Sequence, residues 1–174
     1  MRYLGLDLGS RTLGCALSDK GGIFARSYTI IRHNEEYDRL IKDVYDIVTL
    51  EKVEAIVLGY PKNMNNTVGP KGELSLSFKK KLEEEIGLPV FLQDERLTTK
   101  QAQDILISND TSRKKRKKVI DKMSATVILQ SYLDKVKREW LYMNKLTILV
   151  ATEDEKKSLI PEEYKDNVNS KHGK

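Results

Sequence analysis

A chain of 174 residues with 39% apolar and 33% charged residues has room for one domain with a buried core and a short appendage, and no apolar run in it approaches a membrane-spanning length. The formal charge of +5 is unevenly placed: the first 150 residues carry 26 basic and 20 acidic side chains, whereas residues 151–174 carry five basic and six acidic ones. A basic body suits a polyanionic partner and is equally compatible with an ordinary cytosolic enzyme, while the single cysteine rules out an intramolecular disulfide and points to a reducing compartment.

The first nineteen residues, MRYLGLDLGSRTLGCALSD, organise the rest of the chain. Tyr3, Leu4, Leu6 and Leu8 favour a strand, and Asp7 interrupts them with a carboxylate. That charge also breaks the apolar segment a secretory signal would need, so the expected location is the cytoplasm, with no membrane partner. Gly9 and Ser10 allow a tight turn into a second apolar run over residues 13–17, in which Cys15 reads as a small core residue rather than a nucleophile. After the turn at Lys20, Gly21 and Gly22, residues 23–33 (IFARSYTIIRH) form a third strand of an antiparallel meander. Asn34 can cap the next segment, with Glu35 and Glu36 in its first turn, and Tyr37, Leu40, Ile41, Val44, Ile47 and Val48 recur at helical spacing.

Residues 55–59 (AIVLG) are an uninterrupted apolar run, as expected of a strand covered on both faces. Residues 60–72 (YPKNMNNTVGPKG) are too rich in Pro, Asn and Gly for regular structure, and a long connection after a strand is often functional. Leu74, Phe78, Leu82 and Ile86 mark a second helix, which Gly87 ends. A short strand over residues 90–93 runs into Asp94, Glu95 and Arg96, and Thr98 with Gln101 forms a capping-box pair opening a third helix. Six basic residues in a row, 113–118, close a polar loop. A last long helix comes next, its apolar stripe formed by Ala125, Ile128, Leu129, Tyr132, Leu133, Val136 and Trp140. Asp121 shares that buried side at the helix's N-terminal end, and residues 146–151 read as an added edge strand or a docked helix turn. Three antiparallel strands followed by alternating strands and helices give a mixed α/β sheet flanked by helices, the pattern of the ribonuclease H-like fold.

Three acidic residues fall where elements end against the sheet: Asp7, Glu95 and Asp121. Carboxylates gathered in one place repel one another, and a divalent cation is the simplest reason to keep them ionised together. Oxygen ligands without His or Cys favour Mg²⁺ or Mn²⁺ over zinc, and His33 and His172 stand apart in the sequence. Each carboxylate also has a plainer reading. Asp7 could cap a turn or lie on a solvated face, Asp121 could cap the last helix, and Glu95, like Asp94, could pair with Arg96 or sit on a loop. The basic run, Arg113, Lys114, Lys115, Arg116, Lys117 and Lys118, is either a solvated flexible loop or a set of phosphate contacts.

Asp7-Leu8-Gly9-Ser10 followed by Gly14 resembles the opening motif of the YqgF/RuvX family, described as Holliday junction resolvases and as pre-16S rRNA nucleases. Gly59-Tyr60-Pro61-Lys62-Asn63-Met64 resembles that family's central loop, Asp94-Glu95-Arg96-Leu97-Thr98-Thr99 its DERLT element, and Asp121 with Ser124 and Ala125 its last acidic motif. The resemblance covers residues 1–138. It implies a ribonuclease H-like fold and a cytoplasmic metal-dependent nuclease that processes the 5′ end of the small-subunit rRNA precursor. It also implies a catalytic and metal-binding site at Asp7, Glu95 and Asp121. Arg11, Lys62, Asn63, Arg96 and the six residues of the basic run are the candidates for nucleic-acid contact, the partner being structured RNA or branched DNA and the chain a monomer or homodimer. Three positions depart from the family pattern: Asn66 stands where glycine is common, Lys122 where a small residue is usual, and Ser124 where related resolvases carry a fourth carboxylate.

The expected division is a nuclease domain over residues 1–140 and a partly disordered extension over 141–174. Two rivals differ from a nuclease in kind. An ATP-binding protein of the actin and sugar-kinase type also opens on Asp-x-Gly-Ser, but needs a duplicated domain and a second phosphate loop, which this length does not supply. A non-catalytic RNA-binding assembly factor would bind RNA and cleave nothing.

Overall fold

The computed structural model describes residues 1–95 and 113–150, without the side chains of 113–123 and 146–150. Five strands form one sheet: β1 (Tyr3–Leu8), β2 (Thr12–Ser18), β3 (Ala25–Arg32), β4 (Ala55–Tyr60) and β5 (Val90–Asp94), in the order β3-β2-β1-β4-β5. β1, β2 and β3 pair antiparallel, while β4 runs parallel to both β1 and β5. This is the expected ribonuclease H-like arrangement. Short turns suffice for the meander, and Asp19 makes the second one tight: its carboxylate accepts the N–H groups of Gly21, Ile23 and Phe24 at 3.0, 2.7 and 2.8 Å.

Among the described residues the helices are α1 (Tyr37–Glu51), α2 (Pro70–Ile86) and α3 (Arg113–Val150). Strand alternation sends Leu4, Leu6, Leu13, Cys15, Leu17, Ile56, Leu58 and Val90 to one face, where they pack with Leu40, Ile41, Val44 and Val48 of α1 and Phe78 and Leu82 of α2. Ala16 and Val57 point the other way and pack with Ala125, Ile128, Leu129 and Leu133 of α3. Cys15 is buried in the first core, and burial pushes its thiol up to about 12, so it is inert. Contacts divide the chain into two compact units, Met1–Asp134 and Lys135–Lys174. No helix among the described residues is long and apolar enough to cross a membrane.

Several expectations need correction. The basic run 113–118 is not a loop: it forms the first residues of α3. Lys and Arg are good helix formers, and no Gly or Pro lies between residues 113 and 150 to stop the helix reaching back. Asp121 is therefore inside α3 and cannot be its cap. Residues 146–150 continue α3 rather than adding a strand. Asn34 does not cap α1, whose cap position is Glu36 with no side-chain cap bond. The reason lies in Glu35, held at φ +63° with its N–H on the His33 ring. The helix expected from Thr98 lies outside the described residues, as does the tail beyond Val150.

Candidate active site

The face of the sheet toward α3 is built from what the strands omit. Alternation places Gly5 and Asp7 of β1, Gly14 of β2 and Gly59 of β4 on this face. A Cβ at Gly5 would come within 2.6 Å of Leu129 Cβ and 3.1 Å of the Ala125 carbonyl oxygen, so only glycine lets α3 lie this close. Asp7 pairs across the ladder with Gly14, where an added Cβ would sit 3.6 Å from Asp7 Cβ and 3.5 Å from Ala125 Cβ. Asp7 thus stands at the carboxyl end of β1, half-buried and bordered by the turn of α3 that carries Ala125.

Glu95 follows β5 by one residue. Tyr60 pairs with Asp94, and the Glu95 N–H donates to the Tyr60 carbonyl at 3.4 Å. By the same alternation Gln93 and Glu95 face α3 while Asp94 faces away. The Glu95 carboxylate lies over Gly59: a Cβ there would collide with its Oε1, and would stand 2.8 Å from Ile128 Cδ1. Burial, and next the charge of Asp7, push its carboxyl up to about 7, with Lys71 opposing and Asp94 adding to the rise. The two acids are therefore electrostatic neighbours in a partly dehydrated seat.

Three further groups shape the site that the sequence reading did not assign to it. His33 is buried, and its ring bridges the Gly9 carbonyl (Nε2, 3.1 Å) and the Glu35 N–H (Nδ1, 3.2 Å). With Gly9 N–H donating to the Thr12 carbonyl at 2.8 Å, this pins the turn two residues past Asp7. Lys71, in the first turn of α2, supplies the cation that Glu95 senses. Gly59 is the seat itself. Gly59 stood in the central-loop motif and His33 read as isolated, while Lys71 stood only within the expected loop over residues 60–72; the roles of His33 and Gly59 depend on partners far along the chain.

The nucleic-acid candidates divide. Arg11 is exposed on the β1–β2 turn. Lys62 and Asn63 are on the loop after β4, with Lys62 Nζ 5.3 Å from the Tyr60 ring centroid. In the same loop Asn66 adopts φ +64°, which explains how it stands in for the family's glycine: Asn is among the few other residues that tolerate this conformation. Arg96 lies outside the described residues, and of 113–118 only the helical backbone is described. Asp121 occupies α3 one turn before Ala125, on the same helical face. Among the described residues no three His, Cys, Asp or Glu side chains form a metal cluster, and that of Asp121 is outside them. Asp7 and Glu95 fit a hard divalent cation: both offer carboxylate oxygens, and the charge of Asp7 raises the carboxyl of Glu95.

Residues 1–135 match the family model described as "RuvX: Holliday junction resolvase". The chain belongs to the RuvX family. A protein of Geobacillus sp. (strain WCH70) named "Putative pre-16S rRNA nuclease" is 55% identical over 135 residues, covering 77% of this chain and 98% of that relative. A Bacillus subtilis (strain 168) protein of the same name is 54% identical over 135 residues, with the same 77% and 98% coverage. One from Clostridium kluyveri (strain NBRC 12016) is 51% identical over 138 residues, covering 79% of this chain and all of the relative. Among solved structures, Thermus thermophilus RuvC is similar at a TM-score of 0.47 and 19% identity, covering 76% of this chain and 94% of that one. The RuvX match ends at residue 135, where the second compact unit begins.

Proposed function

We propose that this chain is a metal-dependent nuclease of the cytoplasm that cleaves phosphodiester bonds at the 5′ end of the pre-16S rRNA during ribosome biogenesis. The observation that carries this reading is the seat of Glu95. A carboxylate over bare Gly59, raised by burial and by the charge of Asp7, is a poor device for stability and a good one for gathering a cation. The names of the RuvX relatives support pre-16S rRNA as the substrate. Asp7 and Glu95 would hold Mg²⁺ or Mn²⁺, with Asp121 the third carboxylate from the face of α3 that meets the sheet. When bound, the ion supplies an activated water and charge stabilisation for the leaving oxygen. The chain's own groups do the rest. Gly5 lets α3 close over β1 and narrow the space around Asp7, and His33 fixes the turn beyond it. Arg11, Lys62, Asn63, Arg96 and the basic start of α3 would meet phosphates on either side. Residues 1–140 form the nuclease domain in this reading and 141–174 an extension to it.

Branched DNA is the second reading, favoured by the description of the RuvX model. Incubating the parent and Asp7→Asn with precursor rRNA and with a four-way junction, with and without Mg²⁺, tests both. Cleavage of RNA that requires Mg²⁺ and Asp7 is the expected result, and cleavage of the junction alone selects the second reading. Tight RNA binding with no Asp7-dependent cleavage makes the chain a non-catalytic assembly factor.

A further inference from the structure

Between β4 and α2 the chain makes a loop over residues 61–69, and at its tip Met64 is 88% exposed. No other large apolar side chain among the described residues is exposed as far. A slack loop would fold such a residue back onto the nearest apolar surface, because leaving it in water is unfavourable. This loop is instead braced by its own hydrogen bonds. The Asn63 N–H donates to the Thr67 carbonyl and the Asn66 N–H to the Asn63 carbonyl, both at 3.0 Å. Asn63 Nδ2 donates to Thr67 Oγ1 at 2.9 Å, and Asn65 Oδ1 accepts the Thr67 N–H at 3.1 Å and its hydroxyl at 2.6 Å. Asn66 in the left-handed region completes the turn. These bonds tie Asn63, Asn65, Asn66 and Thr67 to one another, and together they leave the one apolar member of the turn pointing at solvent.

The base of this loop belongs to the acidic site. Tyr60, which ends β4, takes the Glu95 N–H through its carbonyl, and Lys62 lies against the Tyr60 ring. An apolar tip is thus carried on the loop that leaves the strand end seating Glu95, with Lys62 between the two in sequence. Water offers no reason to hold methionine there, and phosphates offer none either. The apolar surface that a nucleic acid presents is the face of a base, on which a polarisable thioether packs well. Methionine is also among the side chains that wedge between base steps.

We infer that Met64 is a base-contacting wedge that packs on an unpaired or unstacked base of the bound nucleic acid and so positions the phosphodiester at Asp7 and Glu95. The inference rests on the nucleic-acid reading above. It makes Met64 a positioning residue, blind to sequence, because every base has an apolar face.

The test uses binding rather than cleavage. Stem–loop RNAs and matched DNAs carrying 2-aminopurine at successive positions are titrated with the full chain in Ca²⁺, alongside Met64→Ala, Met64→Leu and Met64→Lys. The parent should brighten the probe at one position. Met64→Ala should abolish that signal and weaken binding roughly fivefold to tenfold. It should leave the melting temperature and the slope of log affinity against log salt unchanged, since no phosphate contact is lost. Met64→Leu should restore most of both signals, and Met64→Lys neither. Equal binding and equal probe signal in the parent and Met64→Ala overturn the wedge and leave the nuclease reading standing. So does tighter binding by Met64→Lys, which would mean that the tip meets only phosphates. A parent that binds neither RNA nor DNA overturns both.

Discussion

The two faces of the sheet are built from alternate residues of the same strands and have opposite chemistry. Toward α1 and α2 stand Leu4, Leu6, Leu13, Leu17, Ile56 and Leu58, all completely buried. Burying each such side chain contributes about 1.5–3 kcal/mol, so this face supplies most of the hydrophobic stability of the sheet's core. Toward α3, β1, β2 and β4 contribute Gly5, Asp7, Gly14, Ala16, Val57 and Gly59. Stability gained by volume on one face is given up on the other, where the absence of side chains lets α3 approach and leaves space for two carboxylates. The rigid face holds the strand ends in place. The bare face is then free to carry charges that oppose folding.

The largest expected effect breaks the comparison at its most charged point. Asp7→Asn should lower cleavage by orders of magnitude, because a ligand and its charge are removed from the site. Without metal it should be as stable as the parent or slightly more so, since Asp7 and Glu95 repel. Added Mg²⁺ should raise the melting temperature of the parent and raise that of the variant much less. Equal shifts in both would show that Asp7 is not a ligand.

Leu58→Ala, one residue before Gly59 and on the opposite face, should reverse that pattern. It should cost about 2–5 kcal/mol in urea unfolding while cleavage survives in the molecules that stay folded. A milder pair of changes separates packing from chemistry within the α3 face itself. Gly5→Ala would press on Leu129 Cβ and the Ala125 carbonyl, which cannot move without the helix, so about 1–3 kcal/mol of stability should be lost. Gly59→Ala meets the free ends of Glu95 and Ile128, which can swing away. It should cost less stability than Gly5→Ala and far more cleavage. The opposite order would mean that Glu95 is not seated on Gly59.

The α1/α2 face was legible because its signal is local. Leu40, Ile41, Val44 and Val48 repeat with the helix period and are the buried residues of α1, and Gly87 ends α2 in the left-handed conformation its position foretold. Asp7 in a hairpin strand was equally plain, since a lone charge amid apolar residues has few explanations. What sequence concealed is long-range. That Gly59 seats Glu95 depends on the register of β4 against β5, and that His33 pins the Asp7 turn depends on folding across 24 residues of chain. The start of α3 was hidden by its charges: six like-charged neighbours read as a solvated loop, although nothing in them breaks a helix.

The smallest expected effect sharpens the comparison, since it asks whether the α3 face opposes folding through Glu95 alone. Its carboxyl lies at about 7 in the folded chain against 4.5 for an ordinary glutamate, raised first by burial and then by Asp7. The folded state therefore holds a proton more tightly than the unfolded one. Below about pH 4.5 both states are protonated there, and above about pH 7 both are ionised. Between the two, the folded state binds more protons, so metal-free stability must fall as pH rises across that window. The fall should be on the order of 1–2 kcal/mol, because Glu95 retains some contact with water. Other acids titrate over the same range, so the informative quantity is the parent minus Glu95→Gln. That difference should decline from pH 4.5 to 7 and stay level beyond it. Mg²⁺ selects the ionised form, and should stabilise the parent more at pH 8 than at pH 5.5. A parent and a Glu95→Gln variant whose stabilities run parallel through the whole window would place Glu95 in solvent, and the pairing with Asp7 would fall with it.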